Sequence, residues 1–172
     1  MKYSEIYKKW RDNPIEFWKI NAEDVSWIKF PKKIIKKKND YFYEWFSDGI
    51  LNTCYNAVDK NILEGRGDQV AIYYDSPITN SKSKLTYNEL KFKVEEFAGA
   101  LNKYNISKGD RVIVYMPMIP EAIIAVLAIA RIGAVHSVVF GGFAAKELAV
   151  RIDDCSPKLI TVSYTHLTLP TR

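Results

Sequence analysis

At 172 residues, 48% hydrophobic and 13% aromatic, the chain has the length and apolar content to bury a core, which excludes general disorder. Its two cysteines, Cys54 and Cys155, lie far apart with no CxxC spacing, so neither a disulfide framework nor a metal site is expected, and both read as buried reduced thiols. The net charge of +5 is modest, and its densest part, Lys32, Lys33, Lys36, Lys37 and Lys38, reads as a solvated loop rather than a nucleic-acid or membrane surface.

The N-terminus carries Glu5, Asp12 and Glu16 and no apolar stretch with a cleavage site. Neither a secretory signal nor a transit peptide is visible, so a cytoplasmic location is expected. Tyr3 to Asp12 is helical in character, and Pro14 suits the first turn of a second helix carrying Ile15, Phe17 and Trp18. All four tryptophans (Trp10, Trp18, Trp27, Trp45) fall in the first 45 residues, where they read as packing anchors of a loop-rich segment without a compact core of its own. Asp48-Gly49 marks a turn, after which Leu51, Cys54, Tyr55, Val58 and Ile62 repeat at helical spacing.

From Gln69 the pattern changes. Val70 to Tyr74 reads as a strand leading into a polar loop, Asp75 to Ser83. Thr86 and Glu89 form a capping box for a helix of about four turns with Leu90, Val94, Phe97, Ala98 and Leu101 on one face. A turn at Lys108 to Asp110 precedes the apolar run Arg111 to Met116, a strand buried on both sides. Pro120 opens a helix, Glu121 to Ile132, which Gly133 ends; its apolar stretch is too short to span a membrane and carries Arg131. Ala134 to Phe140 is expected as the next buried strand, with His136 as a satisfied core histidine. After Gly141-Gly142 comes a helix, Ala144 to Asp154, burying Leu148, Val150 and Ile152; Pro157 breaks it, and Leu159 begins another strand. The fold class is α/β: a helical, aromatic-rich N-terminal segment followed by the first crossover units of a mostly parallel sheet.

Val162 to Arg172 changes the text abruptly. This string resembles the in-frame translation of a sequencing adapter and is expected to be a non-native tail, outside any functional reasoning. Without it the net charge falls by one and His136 is the sole histidine.

Ligands of an open parallel sheet bind beyond the carboxyl ends of its strands, which directs attention to Pro117 to Pro120 and Phe140 to Phe143. Gly141 and Gly142 let a ligand approach the main chain, although two glycines in a tight turn need no ligand. Lys108-Gly-Asp-Arg-Val, Tyr115-Met-Pro-Met-Ile-Pro-Glu-Ala122 and Ala130-Arg-Ile-Gly-Ala-Val-His-Ser-Val-Val-Phe-Gly-Gly-Phe143 together resemble the acetyl-CoA and propionyl-CoA synthetases of the adenylate-forming superfamily. Tyr3 to Ile62, with Trp45-Phe46, Asn52, Asn56 and Asp59, is similar to their N-terminal segment. The resemblance divides the chain into an N-terminal segment at 1–62, the beginning of the AMP-dependent ligase domain at 63–161, and the tail at 162–172. Tyr74 to Asn80 and Gly142 to Asp154 are closer to the propionate branch than to the acetate branch, although one methylene is discriminated by only about 1–3 kcal/mol.

The resemblance implies a ligase that activates a small carboxylate with ATP and Mg²⁺ as an acyl-adenylate and passes the acyl group to CoA. It implies neither a nucleic-acid nor a membrane partner. Phe140, Gly141 and Gly142 match the stretch that lines the CoA approach. No catalytic residue is assigned here, because the phosphate-cradling loop, the acyl pocket and the adenylating lysine of that family have no counterpart in this chain, and the tail stands where its arginines for the CoA 3′-phosphate would lie. The 172-residue chain is therefore expected to lack ligase activity. A dehydrogenase-like domain would need a glycine fingerprint where Pro117 to Pro120 stand, and a basic nucleic-acid module would rest on Lys32 to Lys38 alone.

Overall fold

The computed structural model describes residues 2–163. The chain forms two compact units, Met1–Asn52 and Thr53–Arg172. In the first, α1 (Tyr3–Asp12) and α2 (Pro14–Ala22) meet at Asn13, whose side chain caps α2 by accepting from the Glu16 amide at 3.2 Å, with Pro14 in the first turn. Two short antiparallel strands follow, β1 (Ile35–Lys37) and β2 (Tyr43–Trp45). Of the lysine run expected as a solvated loop, Lys36 and Lys37 instead lie on one strand of this hairpin, while Lys32, Lys33 and Lys38 flank it, and all five are exposed. Its partner supplies the charge that permits this: Lys36 and Lys38 lie 3.8 and 3.6 Å from Glu44, and Lys37 lies 2.9 Å from Asp40. Asp48 closes the hairpin by accepting from the Lys32 and Lys33 amides at 3.1 and 2.9 Å. Those amides, that of Lys33 above all, lower its pKa.

The tryptophans do pack, mainly on other rings. Trp18 meets Trp45 edge-on at 5.4 Å, Trp27 lies 5.5 Å from Phe46, and the Trp27 indole donates to the Ala22 carbonyl at 2.8 Å. Among the described residues of this unit, only Ala22, Pro31 and Ile34 are buried apolar residues.

The second unit opens with a helix over residues 53–66 that is wound wide in two stretches, Tyr55–Asp59 and Ile62–Arg66. The Lys60 amide reaches back five residues to the Tyr55 carbonyl. Cys54 and Val58 are fully buried on its inner face. Next comes a hairpin, β3 (Val70–Ser76) and β4 (Ser81–Thr86). The two strands take both ends of the polar loop expected over Asp75 to Ser83, β3 through Ser76 and β4 from Ser81. The residues of β4 are mostly exposed, so cross-strand pairs such as Lys82 with Asp75 at 2.7 Å hold it, without apolar alternation to announce it. The capping box forms as expected: Thr86 N–H donates to Glu89 at 2.8 Å and Glu89 N–H to Thr86 Oγ1 at 3.2 Å, starting α3 (Tyr87–Lys103).

The remaining elements are β5 (Arg111–Met116), α4 (Pro120–Arg131), β6 (Val135–Phe140), α5 (Ala145–Cys155) and β7 (Leu159–Val162). Gly133, in the left-handed region at φ 74°, ends α4. The sheet is parallel with order β6-β5-β7, so Val112 pairs with both His136 and Leu159. Leu90, Val94 and Leu101 of α3 and Ala125, Ala128 and Ile129 of α4 pack with Val112, Val114 and Met116 of β5. The order in which strands are added across the sheet reverses after β6, which for right-handed crossovers puts α4 on one face of the sheet and α5 on the other.

Three expectations fail here. β6 borders β5 on one side only, and along it Val139 alone is buried; Val135, Val138 and Phe140 are half-exposed. His136, on the same strand, is exposed rather than a core histidine. α5 buries none of its residues: Leu148 and Ile152 are half-buried and Val150 is exposed. Apolar character predicted burial for these elements, but among the described residues only β5 has parallel strands on both sides and helices over it. Cys155 is likewise half-buried, unlike Cys54, and both thiols are free. Of the string beginning at Val162, that residue pairs with Tyr115, and 164–172 lie outside the described residues.

Candidate functional site

The connections leaving β5 and β6 go to opposite faces of the sheet. Between them lies the crevice where doubly wound sheets bind ligands. One side is Pro117 to Pro120, with the Ile119 amide on the Pro117 carbonyl at 2.9 Å and Met118 standing into solvent. The other is Phe140 to Ala144, at the end of β6.

Phe140, Gly141 and Gly142, the residues singled out by sequence, are contiguous here. The Gly141 amide donates to the Met116 carbonyl at 3.1 Å, stitching the turn to the end of β5, and the Phe143 amide donates to the Phe140 carbonyl at 3.0 Å. A Cβ on Gly141 would sit 2.8 Å from the Pro117 nitrogen and 2.9 Å from the Met116 carbonyl carbon, both backbone atoms that cannot yield. A Cβ on Gly142 would meet the Phe140 ring at 2.8 Å. Glycine at 141 is therefore demanded by the close passage of two main chains, with or without a ligand.

Phe140 and Phe143 face each other edge-on with ring centres 6.0 Å apart, and both are substantially exposed. The two exposed rings offer an aromatic surface for a flat ligand portion. Behind them stand two groups that sequence reasoning missed. The Tyr115 hydroxyl donates to the Phe143 carbonyl at 2.8 Å, and the Arg151 guanidinium lies 5.2 Å from the Phe143 ring centre. Only the strand register and the path of the turn bring them there, and no spacing in the chain announces either. His136 lies further back on β6 and takes no part.

The unit's other polar features lie elsewhere. Asp59, only 9% exposed, pairs with Arg131 at 2.8 Å and Lys91 at 3.7 Å, joining the wide-wound helix to α3 and α4. Burial pushes the nearby Cys54 thiol pKa up, against the pull of Arg131. At the opposite end of β5, Asp110 accepts from Ser107 N–H at 2.8 Å, Ser107 Oγ at 2.9 Å and Lys158 Nζ at 3.0 Å. The Ser107 amide first, then Lys158, lower its pKa to about 2. Among the described residues no three Asp, Glu, His or Cys side chains gather as metal ligands.

Comparison with known proteins gives these features a setting. The family model described as AMP-binding enzyme matches residues 60–171, and that of the acetyl-coenzyme A synthetase N-terminus matches residues 3–57. Acyl-CoA synthetase short-chain family member 3, mitochondrial, of Bos taurus is 51% identical over 88% of this chain and 22% of its own length. Acetyl-coenzyme A synthetase of Streptomyces avermitilis is 45% identical over 91% of this chain and 24% of its own. The solved acetoacetyl-CoA synthetase from Streptomyces lividans superposes with a TM-score of 0.80 at 27% identity, over 90% of this chain and 24% of that one. The chain thus spans about a quarter of the length of the relatives it matches. With most of its residues under one family model and its opening segment under the companion model, the chain belongs to the AMP-binding enzyme family, in the branch that carries an acetyl-coenzyme A synthetase N-terminus.

Proposed function

We propose that this chain is the N-terminal part of an AMP-forming short-chain acyl-CoA synthetase whose preferred acid is propionate, with acetate as the alternative. The observation that carries the reading is the glycine turn Phe140 to Gly142, open to solvent at the crevice between β5 and β6, in a chain of this family. In the proposed reaction a carboxylate oxygen attacks the α-phosphorus of ATP, releasing pyrophosphate. The CoA sulfur then attacks the acyl carbon and AMP departs. CoA would pass along Phe140, Gly141 and Gly142. Among the described residues no three Asp, Glu, His or Cys side chains gather, and no step is assigned to Mg²⁺ in this chain.

Support for propionate over acetate comes from Tyr74 to Asn80 and Gly142 to Asp154, which resemble the propionate branch more than the acetate branch. The proposed boundaries are 1–62, 63–161 and a non-native tail at 162–172; reading the codons after Ile160 tests the tail. The proposed location is the cytoplasm. Cell fractionation tests that placement against the mitochondrial relatives.

The 172-residue chain by itself is proposed to be inactive. Purified chain incubated with ATP, Mg²⁺, CoA and propionate is expected to yield no propionyl-CoA, and a product peak would overturn this. The enzyme encoded by the complete reading frame is expected to turn over propionate with a higher kcat/KM than acetate. The reverse ranking would shift the assignment to the acetate branch.

A further inference from the structure

The turn at 140–143 begins and ends in aromatic residues and has two glycines between them. A segment of that composition has many conformations open to it, and fixing one costs about 1–2 kcal/mol per residue. Yet the turn is held from three directions. Gly141 is tied to the Met116 carbonyl, the Phe143 carbonyl takes the Tyr115 hydroxyl, and the Phe143 ring lies under Arg151. Tyr115 comes from β5 and Arg151 from α5, so the two elements flanking the turn both reach it. Tyr115 occupies the last but one position of β5, on the face opposite the α3–α4 core, where its ring is half-buried and its hydroxyl meets the turn carbonyl. A hydrogen bond from side chain to main chain at this place does more for the turn's shape than for the core, because Val114 and Met116 on either side of it do the packing.

We propose that Tyr115 is a positioning residue that holds the 140–143 turn in one conformation for CoA, with Arg151 as its weaker second. This rests on the reading of the turn as a CoA contact. Holding the turn beforehand removes an ordering cost that a floppy glycine turn would impose on the ligand at each binding event.

The test uses the enzyme encoded by the complete reading frame and its Tyr115→Phe variant, which keeps the ring and removes only the donor. Backbone amide exchange is followed at Gly141 and Phe143, whose protons lie in the turn's own hydrogen bonds, with Ile113 and Val114 as references. CoA is titrated while the same amides are observed. Tyr115→Phe is expected to speed exchange at Gly141 and Phe143 about tenfold and to weaken CoA binding about tenfold, the loss of one hydrogen bond of ordinary net strength. Exchange at Ile113 and Val114 and the thermal midpoint stay as in the parent. Arg151→Met is expected to act in the same direction and less strongly.

Unchanged exchange at the turn would overturn the proposal, as would faster exchange with undiminished CoA affinity. Equal acceleration at Ile113 and Val114 would also overturn it, since Tyr115 would then be a plain packing residue. If the turn loosens in the variant but CoA perturbs nothing even in the parent, Tyr115 remains the holder of the turn and the CoA reading falls.

Discussion

The two units of this chain reach order by different physics. In Met1–Asn52, edge-on ring contacts and hydrogen bonds to main chain dominate, and almost every large apolar side chain keeps part of its surface in water. In Thr53–Arg172 a continuous apolar core lies between β5 and the α3–α4 layer, with a nearly buried carboxylate, Asp59, neutralised at its margin. Ring contacts are worth about 0.5–1.5 kcal/mol each beyond the area they cover, whereas one fully buried aliphatic side chain is worth about 2–3 kcal/mol. The second unit should therefore be the more sensitive to a single deletion. All four tryptophans lie in the first unit, so indole fluorescence reports that unit separately.

The largest expected effect is that of Ile129→Ala. Ile129 is completely buried, and truncation should cost about 3 kcal/mol through lost burial and the cavity left behind. Urea unfolding followed by circular dichroism should show it, with the fluorescence transition less affected. A cost below about 1 kcal/mol would mean that the α3–α4 layer collapses readily and the contrast between the units is weaker than drawn. Asp59→Asn comes next. It leaves Arg131 facing a neutral partner in a poorly hydrated place, for about 2 kcal/mol. Trp45→Ala follows, removing the edge contact to Trp18 for about 1 kcal/mol beyond lost area. It should move the fluorescence transition while leaving the dichroism of the second unit in place. Coincident shifts in both probes would break the comparison, because the units would then unfold as one.

The same contrast decides how much could be read from sequence. Elements whose order is set locally were legible: the Thr86–Glu89 box, Pro14 and Pro120 at helix starts, and Gly133 at a helix end all act over three or four residues. Burial was legible where an element packs within the chain, as with Leu90, Val94 and Leu101. It was misread for β6 and α5, because apolar character states what an element could bury and not what stands beside it. β4 was missed because Ser81 to Lys84 carry no alternation and are held by pairs with β3. At the candidate site, Gly141 was found because backbone clearance selects for glycine. Tyr115 and Arg151 went unseen because their roles depend on where a main-chain turn passes, which no side-chain pattern records.

The smallest expected effect concerns Asp110, at the amino end of β5 and away from either unit's packing. Its partners favour the charged form in the folded chain, so its pKa lies at about 2, below the unfolded value near 3.9. A carboxylate held down in this way stabilises the fold fully above about pH 4, and the contribution is lost as pH falls from there towards 2. Asp110→Asn should therefore lower stability at pH 6 and leave it nearly equal to the parent's at pH 2. Because the Asp110–Lys158 pair is partly exposed to solvent, raised salt should shrink the difference at pH 6 in so far as Lys158 contributes, and leave the part due to the Ser107 amide. Urea midpoints of the two proteins at both pH values, with and without 1 M salt, measure it. If the difference persists undiminished at pH 2, the side chain acts through its shape in the 107–110 turn rather than through its charge. The second unit would then owe nothing at this corner to electrostatics, and its contrast with the first would rest on burial and the Asp59 cluster alone.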